Sequence, residues 1–299
     1  MFYSLKYGSF CFRHQFNTAN FSMDMSSISH LLTENPLHKD ILHTAGKLAE
    51  KESLSSFVVG GFVRDTLLGK TTNDIDIMVE GDGVKFAKKL AHALQVEVTV
   101  DYNKFGTALI PHKDVEIEVA TARKESYASD SRKPEVEPST VEEDMSRRDF
   151  TVNAIAASIL PESFGEVFDP YGGIRDLQKK LIITPLDPDI TFSDDPLRML
   201  RAVRFAAQLE YGIAPTTLDS ISRNTQRLEI VSWERIRDEI IKSLKADKPS
   251  IAFYHMKDTG LLSHVFPELD VMSGVDIIDG KAIKMFLFIP FKLLIMQQN

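Results

Sequence analysis

Cysteine and long apolar runs are what this sequence lacks most. Cys11 is the single cysteine among 299 residues, which excludes an internal disulfide and favours a reducing compartment. No cysteines and histidines have the spacing of a structural zinc site. The most apolar stretch, 285–296, is shorter than the ~20 residues of a membrane span, and Pro290 and Lys292 interrupt it. The sequence therefore predicts neither a disulfide scaffold, nor a zinc module, nor a membrane protein.

The sequence also has no excess of positive charge. The formal net charge is −8, so the molecule as a whole does not attract phosphate backbones. Any nucleic-acid partner must therefore bind at local basic patches. Apolar residues make up 43% and charged residues 26%, which is typical of a globular protein with one large domain or two to three smaller ones.

Apolar periodicity predicts an α/β part followed by a helical part. Strands alternate with helices up to about residue 120, which favours a layered sheet with helices on it. A segment rich in Ser, Pro and charge, 124–141, predicts a loop. The join falls near 181–190. In chain order, the predicted elements are a helix at 31–51, a strand at 56–59, a helix at 62–68, a strand at 72–79, a helix at 81–94, strands at 96–100, 107–110 and 115–120, and helices at 196–208, 218–228 and 233–244.

The first 30 residues form a separate leader in this interpretation. Residues 1–23 carry Lys6 and Arg13 and no acidic residue, as transit peptides often do. The segment has few arginines and no amphipathic repeat, so a misassigned start is an equally open interpretation. We expect a cytoplasmic protein, or a mitochondrial one if this leader is a transit peptide. The sequence predicts no oligomeric state.

Two aspartates stand on a strand that is otherwise apolar, in DIDIMV. In a strand, residues i and i+2 point the same way, so Asp74 and Asp76 share one face while Ile75, Ile77 and Val79 face the core. The two Cβ atoms are then ~6.5 Å apart. Such paired carboxylates suit Mg²⁺, and two metals stabilise an in-line attack at phosphorus. The alternative is a strand end whose aspartates only face water.

Glycines upstream of the aspartates favour the metal interpretation. Gly60 and Gly61 lie between a strand and a helix start, where bare backbone lets a phosphate approach the amides at a helix N-terminus. Arg64, one turn on, adds a donor fork for phosphate oxygens. The spacing differs from the G-x-G-x-x-G fingerprint of dinucleotide-binding folds, so a nicotinamide enzyme is a weak alternative.

The string GGFVRDTLLG…DIDI resembles the head motif of the DNA polymerase β-like nucleotidyltransferase superfamily. Within it, the class II tRNA CCA-adding enzymes and bacterial poly(A) polymerases are the most similar branch, and the resemblance covers about 35–275. It implies that Asp74 and Asp76 hold two Mg²⁺ ions, and that Gly60, Gly61 and Arg64 contact the incoming triphosphate.

A third acid is a candidate for the same centre. Glu116 and Glu118 alternate with apolar residues in EIEVATAR, so both lie on one strand face. Glu118 matches the position where the superfamily often keeps a third catalytic acid. An ordinary exposed strand face explains the pattern equally well.

The string SRRDFTVNAIA, 146–156, places basic and acidic residues before a run with helical character. One interpretation is a helix capped by Asp149 with two solvated arginines. The string also resembles the family's R-R-D-x-T-x-N-A motif, which contacts the nucleotide's ribose and phosphates. That resemblance implicates Arg148, Asp149 and Asn153.

The helix in SDDPLRMLRAVRFAAQL, 193–209, is the most informative one. Asp195 fits its N-cap, and Arg198, Arg201 and Arg204 recur every three residues beside an apolar stripe. A capped amphipathic helix with a charged surface explains this pattern. The string also resembles the family's [E/D]-D-x-x-R motif, in which the Asp and Arg select CTP and ATP. By that likeness Asp195 and Arg198 read the base, with Arg201 and Arg204 nearby in the nucleotide site.

Two further segments extend the resemblance. FDPYGGIRDLQKK, 168–180, is similar to a motif linked to movement between head and neck. SWERIRDEIIKSL, 232–244, is similar to an E-R-I-x-x-E helix that supports the nucleotide pocket. Basic residues in this part of the chain suit an RNA acceptor end, and a solvated face explains them equally well.

The fold class implied is α+β: a nucleotidyltransferase head with a mixed β-sheet and flanking helices, an all-helical neck and a truncated helical body. We expect a leader at 1–30, the head at 31–182, the neck at 183–246 and the start of the body at 247–299, where the end departs from the family pattern. The implied activity is Mg²⁺-dependent addition of CMP and AMP, from CTP and ATP, to the tRNA 3′ end. A-only, C-only or poly(A) addition, and a truncated non-catalytic RNA-binding fragment, remain alternatives.

Overall fold

A seven-stranded mixed sheet forms the first half of the protein. The computed structural model describes residues 26–98, 100–102, 106–126, 135–271, 277–278 and 281–282. The sheet has the order β3-β4-β5-β2-β1-β8-β9, in which β2 and β5 run parallel and the other neighbours run antiparallel. Its strands are β1 Ser56–Val59, β2 Asp74–Val79, β3 Val100–Tyr102, β4 Thr107–His112, β5 Val115–Thr121, β8 Ala156–Ser158 and β9 Val167–Phe168.

Three short two-stranded ladders lie outside this sheet. They pair β6 Arg123–Ser126 with β7 Glu135–Pro138, β10 Leu181–Ile182 with β11 Gly212–Ile213, and β12 Ile277–Ile278 with β13 Lys281–Ala282.

Helices cover the sheet and make up most of the second half. Those of the first half are α1 Ser29–Leu32, α2 Pro36–Glu52, α3 Gly60–Leu67, α4 Gly83–Ala93, α5 Val141–Ser146 and α6 Gly173–Lys179. Those of the second half are α7 Pro188–Asp194, α8 Leu197–Leu209, α9 Pro215–Asn224, α10 Trp233–Leu244, α11 Pro249–Thr259, α12 Leu261–Val265 and α13 Pro267–Val271. The predicted α+β class, with a mixed sheet followed by helices, is confirmed.

Helix α8 is the centre of the helical half. Ten of its thirteen residues are buried, because α10 and α11 pack on one side of it and the sheet half on the other. One apolar core runs from the sheet through α8 to α12, including Ile75 of β2, Phe150 before β8 and Leu200 of α8. The two halves therefore share a single hydrophobic interior.

Local chemistry explains where several helices begin. Asn35 accepts hydrogen bonds from the amides of Leu37 and His38, and Pro36 takes the first helical position, so the predicted helix at 31–51 is divided into α1 and α2. Asp82 caps α4 in the same way through the amide of Lys85. None of the described helices is long and apolar enough to cross a bilayer.

The predicted loop at 124–141 was wrong in part. Arg123–Ser126 and Glu135–Pro138 pair as antiparallel strands, and an ion pair joins Lys124 to Glu137 across them (2.9 Å). The intervening residues lie outside the described part of the chain. Polar, proline-containing composition hid this hairpin, because an exposed two-stranded ladder has no apolar face to reveal it.

Two other predictions need correction. The strand expected at 96–100 starts only at Val100, since 96–98 have no regular structure. The helix expected after Asp149 is a single 3₁₀ turn, Thr151–Asn153, followed by the buried strand β8. Alanine-rich strands such as β8 resemble helices in sequence, and burial between neighbouring strands decides the outcome here.

Candidate functional site

The two aspartates of β2 share one face of the sheet, as predicted. Ile75 and Ile77 between and after them are fully buried on the other face. The parallel register sets Asp74 beside Glu116 and Asp76 beside Glu118. The acids of β2 and β5 therefore form a four-carboxylate surface on adjacent strands.

Asp76 is the carboxylate most affected by this crowding. Burial, followed by the charges of Glu118 and Asp74, raises its pKa to about 6, although Arg148 and Arg64 act in the opposite direction. No described group donates a hydrogen bond to the carboxylate of Asp74 or Asp76. The positive charges of Arg148 and Arg64 therefore offset the repulsion within this carboxylate pair only in part.

These two aspartates have the donor chemistry of a Mg²⁺ site. Carboxylate oxygens are the ligands that this cation prefers, and their unmet charge is what it would offset. Over the ranges that the structure describes, no three His, Cys, Asp or Glu side chains converge as a metal cluster. The geometry thus fits a site of the two aspartates, with Glu118 as an electrostatic neighbour, and Glu118's catalytic role stays a prediction.

The glycine pair lies directly beside Asp76. Gly60 has a φ of +66°, which favours glycine, and a Cβ there would approach Arg148 Nη1 to 2.6 Å and displace that guanidinium. A Cβ on Gly61 would lie 3.9 Å from Asp76 Oδ2 and 3.7 Å from Arg64 Nη2. The bare backbone of Gly61 therefore lies close to both the acid and the arginine.

The backbone amides of the two glycines differ in their hydrogen bonding. The Gly60 amide donates to the carbonyl of Ile155 (3.1 Å), so it is used within the protein. Within the described residues, no group accepts a hydrogen bond from the Gly61 amide, which is in the first turn of α3. Gly61 is consequently the better of the two candidates for binding a phosphate oxygen.

Arg64 is held in place by side chains on two of its edges. Its Nε and Nη2 donate to the carboxylate of Asp65 (2.9 and 2.8 Å), and Nη1 donates to Asn153 Oδ1 (2.6 Å). The side chain is 9% exposed, so the guanidinium is a buried, fixed fork rather than a solvated one. Asp65 was not singled out in the sequence, although its place directly after Arg64 is a usable signal.

Asn153 connects Arg64 to Asp149 and Arg201. The Asn153 amide donates to Asp149 Oδ1 (3.0 Å), and Arg201 Nε donates to Asp149 Oδ2 (2.7 Å). Arg201 lies on α8, so this ion pair joins the sheet half to the helical half. Asp149 does not cap a helix; its Oδ1 accepts instead from the amide of Phe150 (2.8 Å).

Asp149 is buried and ionised. Burial alone would raise its pKa, but the Arg201 guanidinium and the hydrogen bonds from Asn153 and Arg201 outweigh burial and lower the pKa to about 2. The two arginines expected beside it are not free on the surface. Arg148 is bound through Nε and Nη2 to Asp144 (3.1 and 3.0 Å), and Arg147 pairs with the same carboxylate.

We expect a pH-dependent stability difference from Asp149. A carboxylate with a lowered folded pKa stabilises the fold above its unfolded pKa near 4, and this contribution disappears as the pH falls toward 2. Asp149→Asn should therefore lower the free energy of unfolding by about 2 kcal/mol at pH 7 and by about half as much at pH 3. Urea unfolding of both proteins at pH 7, 5, 4 and 3 measures this, and a pH-independent difference would contradict the ion-pair explanation.

Asp195 and Arg198 are close in sequence but point to different partners. Asp195 Oδ2 accepts from Arg235 of α10 (3.1 Å), and its Oδ1 accepts from the Leu197 amide (3.2 Å). Arg198 is 8% exposed and donates to the carbonyls of Thr191 (3.4 Å) and Arg147 (2.6 Å). Arg198 thereby joins the start of α8 to the 146–149 segment.

The predicted arginine stripe is not a solvated face. Arg198 and Arg204 are buried, and Arg204 forms an ion pair with Glu239 of α10 (2.5 Å) that is almost free of solvent. The alternative of a charged surface helix is therefore wrong. Glu239 is the last acid of the E-R-I-x-x-E string, but its pairing with Arg204 could not be predicted, since a partner 35 residues away leaves no local signal.

Taken together, the site is a carboxylate face beside a Gly–Gly–Arg corner, closed on one side by arginines of a helical layer. Asp74, Asp76 and Glu118 lie on adjacent strands. A continuous network of contacts lies beside these acids. Its members are Gly60, Gly61, Arg64, Arg148, Asp149, Asn153 and Arg201. Asp195, Arg198 and Arg204 lie along the same helix α8 or at its start. This arrangement defines a nucleotidyltransferase head with a helical neck.

Comparison with known proteins gives the same class. Residues 56–183 match the family described as poly A polymerase head domain, and 210–272 match the probable RNA and SrmB-binding site of polymerase A. An A-adding tRNA nucleotidyltransferase from Geobacter sulfurreducens is 37% identical over 232 residues, covering 77% of this chain and 26% of that protein. A CCA-adding enzyme from Levilactobacillus brevis is 33% identical over 236 residues, covering 78% of this chain and 56% of that protein.

Solved structures agree in fold. The Thermotoga maritima CCA-adding enzyme complexed with tRNA_CCA superposes with a TM-score of 0.72 at 34% identity, covering 81% of this chain and 56% of that one. Complexes of a CCA-adding enzyme with ATP and with CTP give TM-scores of 0.71 and 0.72 at 34% identity, each covering 82% of this chain and 58% and 57% of theirs.

The chain belongs to the class II tRNA nucleotidyltransferase family. It spans about a quarter of the length of the Geobacter relative and a little over half of the Levilactobacillus relative.

Proposed function

We propose that this protein adds nucleotides to the 3′ end of tRNA without a template, using ATP and CTP as substrates. The observation that carries the proposal is the carboxylate pair of Asp74 and Asp76 facing the Gly61–Arg64 corner. An acid pair beside a phosphate-binding corner is the arrangement that phosphoryl transfer requires, because catalysis there consists mainly of positioning and charge stabilisation.

Several residues around Gly61 would bind the triphosphate. The Gly61 amide and the Arg64 guanidinium would bind the phosphate oxygens and offset their charge, both in the bound nucleotide and in the leaving pyrophosphate. Asp65 and Asn153 hold Arg64 so that it needs no reorganisation when the nucleotide arrives. Arg148, fixed by Asp144, adds a second cation beside Gly60.

Asp74 and Asp76 would hold two Mg²⁺ ions, which when bound supply Lewis-acid activation of the RNA 3′-hydroxyl and of the α-phosphate. The partly raised pKa of Asp76 shows how poorly this face tolerates its own charge without a cation. Glu118, next to Asp76, adds further negative potential at the same place.

Base selection is assigned to the start of α8. Asp195 offers carboxylate acceptors and Arg198 guanidinium donors, the two kinds of group that the Watson–Crick edges of adenine and cytosine require. In this structure Arg235 and backbone carbonyls satisfy them, which holds both side chains in defined positions. Arg201 and Asp149 lie between this pair and Arg64, where the ribose and phosphates would pass. Arg204, buried against Glu239, would support the same site from behind.

The proposed parts are the head at 31–182, the helical neck at 183–246 and the first body helices from 247. The match over 210–272 to a family described as a probable RNA and SrmB-binding site supports RNA binding by the neck. The relatives include both A-adding and CCA-adding proteins, so they do not distinguish addition of A alone from addition of CCA.

Single labelled nucleotides on defined tRNA ends test this function. Purified chain with Mg²⁺ is given tRNA ending before CCA or after CC, with labelled ATP, labelled CTP or both. Full CCA addition predicts CMP incorporation on the first substrate and AMP incorporation on the second. AMP on the second substrate alone indicates A-addition, long A tails indicate poly(A) synthesis, and tRNA binding with no incorporation indicates a non-catalytic RNA-binding fragment and contradicts the proposal.

A further inference from the structure

One aromatic ring of the neck contacts three arginines. Phe205, on α8 and 7% exposed, has the guanidinium carbons of Arg204, Arg64 and Arg201 at 4.0, 5.3 and 5.5 Å from its ring centroid. All three lie within the range over which a cation is attracted to an aromatic face. Two of these arginines belong to the neck, and Arg64 belongs to the head.

Three cations gather around this ring because each has its own carboxylate. Arg64 pairs with Asp65, Arg201 with Asp149 and Arg204 with Glu239. The carboxylates bind the guanidinium edges, which leaves the planar faces available for the ring. The mutual repulsion of the arginines is thereby offset, and Phe205 is the common surface against which they are oriented.

The ring is also fixed from the head side. Phe150, in the segment before β8, packs edge-on against it, with ring centroids 5.8 Å apart and planes at 81°. Such edge-to-face pairs favour one relative orientation. Phe205 therefore cannot turn without disturbing the head, and Arg64 cannot shift away from Gly61 without leaving the ring.

We propose that Phe205 is a positioning residue for the triphosphate, acting through Arg64. Its ring would keep the Arg64 guanidinium beside Gly61, so that phosphate binding depends on where the neck helix α8 sits. This inference rests on the proposed function, in which Arg64 binds the triphosphate. Asp65 and Asn153 fix Arg64 from within the head, whereas Phe205 makes the same residue sensitive to the neck.

Leucine and tyrosine at this position separate the role of the ring from simple packing. Phe205→Leu keeps an apolar side chain but removes the aromatic face, and Phe205→Tyr keeps the face. Phe253→Leu is the matched control, because Phe253 is equally buried in the helical half and stacks on Phe266 at 6.3 Å without contacting these arginines. Thermal unfolding of all three variants shows how much stability each loses.

We expect Phe205→Leu to weaken ATP and CTP binding by about tenfold, measured by titration calorimetry on the full chain with Mg²⁺. The KM for each nucleotide should rise similarly while kcat changes by less than about threefold, because Arg64 binds the triphosphate before and during reaction. Phe205→Tyr should bind as the wild type does, and so should Phe253→Leu. Wild-type affinity in Phe205→Leu, or an equal loss in Phe253→Leu, would overturn the inference.

A double-mutant cycle tests whether Phe205 acts through Arg64. In an Arg64→Ala background, Phe205→Leu should cause no further loss of nucleotide affinity, since the group that the ring orients is gone. Independent, additive losses would mean that the ring does something else. Failure of the proposed function has a different signature: the wild-type chain itself would bind neither nucleotide.

Discussion

Asp76→Asn is expected to lower the rate of nucleotide incorporation into tRNA by about 10³-fold, which corresponds to about 4 kcal/mol of transition-state stabilisation. The amide keeps the shape of the carboxylate but cannot carry the negative charge that a divalent cation requires. The fold should be retained, because burial and the neighbouring charges of Glu118 and Asp74 raise the pKa of Asp76 to about 6, and a neutral amide removes a charge that the folded state disfavours. Single-turnover incorporation of labelled nucleotide measures the rate, and circular dichroism confirms the fold.

Asp114→Asn is the matched control for this substitution. Asp114 is an exposed carboxylate in the turn between β4 and β5 of the same sheet, just before the end of β5 that pairs with Asp74, and it lies outside the strand that carries Glu116 and Glu118. The control should incorporate nucleotide at the wild-type rate. Turnover that survives Asp76→Asn within tenfold would remove the assignment of β2 as the catalytic strand.

Glu239→Ala is expected to destabilise the protein by about 3–5 kcal/mol, because it leaves Arg204 as an uncompensated buried cation. The pair is 2.5 Å long, and its side chains are only 8% and 4% exposed. Urea unfolding followed by far-UV circular dichroism measures the loss as a lower midpoint. Restoring neutrality with Arg204→Met and Glu239→Leu together should recover most of the stability, as replacing a buried ion pair by apolar residues often does.

The neighbouring residue on the same helix provides the comparison. Asp238 pairs with Arg237 at 3.1 Å, but the two side chains are more than half exposed. Asp238→Ala removes a carboxylate from the same turn of α10, gains helix propensity, and should cost less than about 1 kcal/mol. Equal losses in the two variants would show that α10 is sensitive to any change there, and that burial of the pair has no special importance.

The face of β2 could be predicted from the sequence because the cause is local. Side-chain alternation fixes the direction of Asp74 and Asp76 once the strand is recognised, and Ile75 and Ile77 identify the buried side. The position of Glu118 beside Asp76 could not be predicted in this way. It depends on a parallel register between strands that are more than thirty residues apart.

For the arginines of α8, the spacing in the sequence does not predict whether the side chains are buried. Their spacing predicts a basic stripe, and spacing alone gives equal support to a solvated face and to a buried one. Burial was decided by partners from distant segments: Asp149 for Arg201 and Glu239 for Arg204. Motif resemblance predicts a functional role for these residues, but neither the motif nor the period indicated the shared aromatic contact with Phe205.

Similarly, Asp144 precedes the R-R-D string by only a few residues, yet its role emerged only in three dimensions. It is almost completely buried, and the charges of Arg148 and Arg147 outweigh burial and hold its pKa below the usual value. An acid three and four residues before two arginines on a short helix is a signal that sequence reasoning can use.

The apolar core that runs from β2 to α12 determines how the protein unfolds. Because apolar side chains of the sheet and of the helices cover one another, separating the halves would expose both surfaces to water at once. Loss of order in either half removes the support of the other, so we expect strand β2 and helix α8 to unfold together in one cooperative transition.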